Sequence, residues 1–238
     1  MFYGTPGPIH QRVPLAFAES KFHRLLEWAA ALPPEAARSA KMSHNAAEMH
    51  ICYHATIMDL FRPFLAEGEL LSTFSTDPRR PEAIFMLSLS HLQALTKYYH
   101  DSFRGLPQSH TISWVHGPLY VAPAIIRYER REGWQTDVLA CIEACTGLLQ
   151  SHAVLEGFLR AILGMAVSGG AFSLLQAKEI LDTLLAQRQG SFDIPEARFV
   201  VDQDLSMESR DAAIGDALAQ RFDEMLFTED PFDFDVCV

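Results

Sequence analysis

Apolar positions recur at helical spacing along most of the chain. In residues 14–32, apolar side chains repeat every three or four residues before Pro33 and Pro34, which predicts a helix. A second helix is predicted to begin after Ser43, a residue type that caps helix N-termini, and to end or bend at Pro63. No segment shows the sustained two-residue alternation typical of strands. The pattern therefore predicts an all-α fold.

Proline and glycine divide the remaining helical pattern. A long third helix is predicted to open after Asp77 and Pro78, and a kinked or broken helix is predicted around Pro118 and Pro123. After Gly133, three further long helices are predicted over WQTDVLACIEACTGLLQ, HAVLEGFLRAILGMAV and SLLQAKEILDTLLAQRQ.

Charge separates the end of the chain from the rest. Residues 1–190 hold 17 acidic residues and 16 lysines or arginines, whereas residues 191–238 hold 13 acidic residues and 3 arginines. We therefore expect a helical domain over residues 1–190 and an acidic, flexible tail over residues 191–238. A charge-balanced body with an anionic tail has no basic stripe for a phosphate backbone, which predicts no direct DNA binding by this chain.

The number of cysteines and the length of the apolar segments indicate the cellular compartment in which the protein is expected. Four dispersed cysteines do not make a disulfide framework, which predicts an intracellular protein, and Cys141 and Cys145 are predicted to be two buried thiols. The first residues lack a basic start followed by an apolar run, so no secretory signal is expected. The stretches without charged residues are broken by proline or glycine, so no membrane helix is expected.

The stretch HICYHATIMDLFRPFL carries the clearest candidate chemistry. His50 and His54 lie four residues apart, so on a helix they share a face, as the paired histidines of helical zinc sites do. The glutamate of the H-E-x-x-H motif is missing, and Cys52 points away from the shared face. Packing histidines are favoured over a metal site, so no catalytic, cofactor-binding or metal residue is assigned; a helical metal-dependent enzyme is the least favoured alternative.

The last residues combine acidic and aromatic side chains. Between residues 222 and 238 there are six acidic residues and no lysine or arginine, interleaved with Phe222, Phe227, Phe232 and Phe234. This composition is typical of activation segments that dock on a coactivator groove. A solvated tail, or an acidic segment that folds back on its own domain, are the alternatives.

The histidine-bearing helix resembles one in the regulatory region of fungal binuclear zinc-cluster transcription factors. The family pattern is close to L-H-x-x-Y/F-H-x-x-x-x-x-x-x-R-P-F, and it is met here by His50, Tyr53, His54, Arg62, Pro63 and Phe64. Flanking segments over about residues 14–170 are similar, in order and approximate spacing, to the neighbouring helices of the nitrate-assimilation-regulator-like subgroup.

The resemblance implies the regulatory and activation portion of a nuclear transcription activator, not an enzyme. Its implied partners are transcriptional coactivators or the general transcription machinery, together with a small-molecule effector. Family members hold zinc and bind DNA through an N-terminal module with six cysteines. No C-x-x-C opening occurs here, so zinc is expected only in that module, and no cofactor is expected in this chain, which looks like the C-terminal part of such a regulator.

A second interpretation of the sequence gives the protein no activation role. In it, the chain is a small-molecule-sensing helical module with a pocket lined by Trp114 and Tyr120.

Overall fold

The computed structural model describes residues 13–65, 80–103, 115–149, 152, 154–186 and 198–229. The chain divides into two compact units, Met1–Val121 and Ala122–Val238, and each is described by itself. The described residues form helices and loops, with an isolated β-bridge between Val200 and Ile214, so the all-α prediction is confirmed for them. None of the described helices has the length and apolar character needed to cross a bilayer.

The first unit contains α1 (Leu15–Ala30), α2 (His44–Phe61), α3 (Arg80–Phe103) and the first turns of α4 (His116–Tyr128). The predicted cap of α2 is confirmed, because the Ser43 hydroxyl accepts a hydrogen bond of 3.2 Å from the backbone N–H of Ala46. The predicted bend is confirmed as well: α2 ends at Phe61, and a 3₁₀ turn over Arg62–Phe64 contains Pro63.

The core of the first unit lies between α2 and α3. Both helices bury side chains spaced three or four residues apart, so each presents a continuous apolar stripe to the other. The fully buried members are Ala47, Ile51, Met58 and Phe61 on α2 and Phe85, Leu89 and Leu92 on α3. α1 packs against α2, where the Phe22 ring meets the Phe61 ring edge-on at 5.3 Å between centroids.

The second unit is built around α7 (Leu155–Ser168), which contacts four other helices: α5 (Trp134–Ala144), α6 (Thr146–Leu149), α8 (Leu174–Ala186) and α9 (Gly215–Glu229). Most residues of α7 are buried, on more than one face of the helix. A helix that is apolar on all sides cannot remain against water, so neighbouring helices have to surround it.

α9 packs along α7 through a close approach of the two backbones. Gly164 on α7 has no side chain, and a Cβ atom there would lie 3.1 Å from the Cβ of Phe222, which is itself fully buried. Next to this contact, Arg160 of α7 donates hydrogen bonds to Glu156 at 2.7 Å and to Asp223 of α9 at 2.6 Å. The apolar contact and the ion pairs together hold α9 on α7.

The structure corrects the predicted division of the chain. Residues 198–229 lie in the second compact unit with α5 to α8, whereas the sequence was interpreted as one domain over 1–190 and a flexible tail from 191. Negative charge suggested a solvated segment, but α9 also carries apolar residues at helical spacing, Leu218, Phe222 and Met225, and the first two are buried. Residues 187–197 and 230–238 lie outside the described residues.

Two local predictions differ from the structure. Of the kinked or broken helix predicted around Pro118 and Pro123, the break is absent: α4 continues through both prolines, and Pro118 lies in its first turn, where a backbone N–H has no intrahelical acceptor. The helix predicted after Gly133 is interrupted at Cys145, whose N–H bonds to the carbonyl of Ile142, three residues back.

The predicted state of the paired cysteines is confirmed. Cys141 and Cys145 are buried free thiols, and the Cys145 thiol donates to the backbone carbonyl of Cys141 at 3.4 Å. Burial raises the pKa of Cys141 to about 12, which keeps this thiol protonated and unreactive.

We expect Gly117→Ala to destabilise the protein by about 1–3 kcal/mol, the usual range for overpacking a core. Gly117 lies against α3, and a Cβ atom there would overlap Oγ1 of Thr96, which is buried and donates to the Leu92 carbonyl at 2.8 Å. Chemical denaturation followed by circular dichroism measures the loss.

The Thr96→Ala background supplies the control, because it removes the overlapping hydroxyl. In that background Gly117→Ala should cost little or should stabilise, since alanine is the better helix former. An equal loss of stability in both backgrounds would contradict this account of the contact.

Candidate functional site

The residues of the family pattern lie on α2 and on the turn that follows it. His50, Tyr53 and His54 are on α2, and Arg62, Pro63 and Phe64 form the 3₁₀ turn. The structure thus places the first three on one helix and the other three at its C-terminal bend, within the first unit.

Arg62 is buried between two aromatic rings. Its side chain is 3% exposed, and its guanidinium carbon lies 5.3 Å from the ring centroid of Phe85 and 5.9 Å from that of Tyr120. Asp59 lies 3.8 Å from the guanidinium and also accepts the hydroxyl hydrogen of Tyr120 at 2.6 Å. Stacking and the nearby carboxylate compensate the buried positive charge, so Arg62 ties the bend to α3 and α4.

His50 forms a hydrogen bond to the segment that precedes α2. The ring is buried, and its Nε2–H donates a hydrogen bond of 2.9 Å to the backbone carbonyl of Ala36. This bond holds the connection between α1 and α2 against α2, and it occupies one of the two ring nitrogens.

His54 lies in a group of cationic and aromatic side chains. Its ring centroid is 4.9 Å from that of His91 and 5.0 Å from that of Tyr53, and His91 in turn pairs with the guanidinium of Arg38. The Nδ1 atom of His54 is buried and has no hydrogen-bond partner among the described residues. Burial, followed by the charges of His91, Arg38 and His50, lowers the pKa of His54 to about 3.

The side chains around the histidine group are mostly aromatic. Within the described ranges there is no cluster of three or more His, Cys, Asp or Glu side chains with suitable geometry. Cys52 is exposed, and Tyr53 leans on the ring of Trp28 at 5.7 Å between centroids. The rings of Tyr53 and His91 thus pack around His54, which is neutral.

The four phenylalanines of the predicted activation segment do not share one environment. The structure corrects the prediction for Phe222, which is fully buried against α7 and therefore cannot reach a partner while α9 is packed. Phe227 lies on the same helix and is 85% exposed. Phe232 and Phe234 lie outside the described residues.

The pocket suggested around Trp114 and Tyr120 is described in part. Trp114 lies outside the described residues, and Tyr120 belongs to the cluster around Arg62, with its hydroxyl bonded to Asp59. The side chain of Tyr120 thus contributes to packing in the first unit.

A groove in the second unit brings together residues that the sequence pattern did not single out. It lies between the end of α4, the end of α7 and α9, and it has a volume of about 330 Å³. Arg127, Arg130 and Arg221 line it, and Arg221 is far from the other two in the sequence. Arg127 and Arg130 are close in the sequence, at the end of α4 and just after it, and this local pair was a visible signal. The presence of Arg221 in the same groove depends on the packing of α9 and has no local signal.

Comparison of the chain with family models, with curated proteins and with solved structures finds no match.

We expect the free energy of unfolding to fall as the pH is lowered from 7 towards 5. Folded His54 stays neutral down to its pKa of about 3, whereas in the unfolded chain it takes up a proton near pH 6.5. The unfolded state then binds more protons, and this one residue contributes at most about 1.4 kcal/mol per pH unit below 6.5. Urea denaturation at several pH values measures the slope.

The His54→Phe variant should lose this part of the slope, because phenylalanine keeps a ring but does not ionise. Cys52→Ser, an exposed change on the same helix, serves as the matched control and should keep the wild-type slope. Identical slopes for wild type and His54→Phe would show that His54 is not the titrating group.

Proposed function

We propose that this chain is the regulatory and activation portion of a transcription regulator of the fungal zinc-cluster type, acting in the nucleus without its own DNA-binding module. The observation that carries the proposal is the exposed Phe227 on an acidic helix. Its ring is 85% exposed, and the chain from Asp223 to its end contains six acidic residues and no lysine or arginine. An accessible aromatic ring among carboxylates is the chemistry that coactivator grooves capture.

The packing of α9 on α7 supports the proposal, because Phe222 fixes the helix in place and Phe227 faces the solvent. Phe222 anchors the helix on α7, and Arg160 pairs with Asp223, so the backbone of α9 is ordered before any partner arrives. An ordered helix loses less conformational entropy on binding than a disordered segment does. Phe227 is therefore presented to a partner on a preformed helix.

The family-pattern residues support a regulatory domain because their side chains are used for packing. Arg62 is enclosed by rings, and His50 is bonded to a backbone carbonyl. Such residues keep the helices α2, α3 and α4 in register, which is a structural role that a helical regulatory domain requires. A second function, sensing of a small molecule, is favoured by the arginine-lined groove of the second unit.

A fusion of the full chain to a heterologous DNA-binding domain tests the activation role. We expect the fusion to drive a reporter gene, and we expect the triple change Phe227→Ala, Phe232→Ala and Phe234→Ala to abolish reporter output. Each phenylalanine ring buried in a partner groove contributes about 1.5–3 kcal/mol, so loss of three rings removes most of the binding free energy. The change at Phe227 removes an exposed ring, and circular dichroism should show that the helices persist.

Phe17→Ala provides the matched control, because Phe17 is also an exposed phenylalanine on a helix, 44% accessible on α1. That variant should keep full output. Equal output from the wild type and the triple variant would contradict the role of the aromatic residues, and no output from the wild-type fusion would contradict the activation function itself.

We also expect the purified chain to show no sequence-specific binding to duplex DNA at physiological salt. Its net charge of −11 repels a phosphate backbone, and the counterion release that drives DNA association needs clustered lysine and arginine side chains. A gel-shift assay with random and promoter-derived duplexes measures binding. A sequence-dependent shift that survives added salt would contradict the prediction.

A further inference from the structure

The groove of the second unit combines cationic and apolar walls. It is open to solvent, and at about 330 Å³ it is near the lower end of the volume range of small-molecule sites. α4 contributes Ile126, the segment just after α4 contributes Arg130, α7 contributes Met165, and α9 contributes Leu218 and Arg221. Gly164 also lines the groove, at the place where α7 and α9 approach each other closely.

The three arginines of the groove differ in their partners. Arg127 is neutralised by Asp202 at 2.5 Å and by Asp204 at 3.5 Å. Neither Arg130 nor Arg221 forms an ion pair with any residue that the structure describes. Two positive charges at the groove are therefore not neutralised by any carboxylate that the structure describes, in a chain whose net charge is −11.

Arg130 is held in place by contacts that leave its terminal nitrogens available. Its Nε–H donates to the backbone carbonyl of Ile126 at 2.7 Å, and its guanidinium lies over the ring of Trp134 at 5.6 Å. The Nη2 atom points towards Gly169, which also lines the groove. A guanidinium fixed by a hydrogen bond and a stacked ring is preorganised to receive an anion.

Several other arginines of the second unit are held in ion pairs. Arg160 pairs with Glu156 and Asp223, and the exposed Arg131 pairs with Glu129 and Asp137. Acidic side chains are abundant here, yet none of those described neutralises Arg130 or Arg221. Charge complementarity at the groove therefore favours an anionic ligand.

We propose that this groove binds a small organic acid with an apolar body. The carboxylate lies between Arg130 and Arg221, because a guanidinium fork donates two parallel hydrogen bonds to a carboxylate. The aliphatic or aromatic body of the ligand packs on Ile126, Met165 and Leu218. The site does not depend on the activation function proposed above, and it would give the protein a ligand whether or not Phe227 recruits a partner.

Isothermal titration calorimetry of the full chain with sodium octanoate tests the site. Octanoate should bind with a dissociation constant on the order of 0.1–1 mM, typical of a ligand with few atoms. Inorganic phosphate carries charge without an apolar body, and 1-octanol carries the apolar body without charge. Both comparators should bind at least about tenfold more weakly than octanoate.

The double variant Arg130→Gln and Arg221→Gln should weaken octanoate binding by about tenfold or more, because charge-assisted hydrogen bonds are replaced by neutral ones. The matched control is Arg131→Gln with Arg210→Gln, which changes the net charge equally at two exposed arginines outside the groove. The control should bind octanoate within about twofold of the wild type, since screening weakens distant charges. Thermal unfolding of each variant verifies that it is folded.

Several outcomes would overturn the proposal. They are the absence of saturable octanoate binding to the wild-type chain, equal affinity in the groove variant and the control, or phosphate or octanol binding as tightly as octanoate. A selective loss in the groove variant would support the site even if the reporter fusion proved inactive.

Discussion

The burial of α7 is the constraint on which the second unit depends. A helix with apolar residues on nearly every face is stable in water only when other helices enclose it, and α5, α6, α8 and α9 do so. α9 completes the enclosure through Phe222, which fits where Gly164 leaves the surface of α7 flat. The same docking brings Arg221 to the groove and turns Phe227 outward, so the ligand site and the exposed aromatic residue both follow from one packing requirement.

The first unit shows how a recurrent residue pattern can serve structure. Pro63 ends α2, and the resulting turn directs Arg62 inward, where two rings and Asp59 accommodate its charge. His54 lies in a different group, with His91 and Arg38, and is kept neutral because burial and the neighbouring charges both oppose its protonation. Paired histidines on a helix therefore need a geometric test before they are interpreted as a metal site: among the described residues, no group of three or more His, Cys, Asp or Glu side chains forms one.

The helices with regular apolar spacing could be predicted from sequence, since local periodicity and caps such as Ser43 determine them. The position of α9 could not be predicted as easily, because its acidic composition indicated solvation while Leu218 and Phe222 carried a short apolar stripe. The groove could not be predicted at all from local patterns. Arg130 and Arg221 are brought together by tertiary packing, and no spacing rule relates residues so distant in the chain.

The opposite placement of Phe222 and Phe227 on one helix would link the proposed binding of a partner to protein turnover. A protein that binds the exposed face of α9 binds the folded second unit more tightly than the unfolded chain. By mass action, it therefore lowers the fraction of the second unit that is unfolded. Proteases act on that population. The cellular abundance of this protein would then rise with the concentration of its partner. A variant that lost the exposed ring of Phe227 would be degraded sooner, even though its buried residues were unchanged.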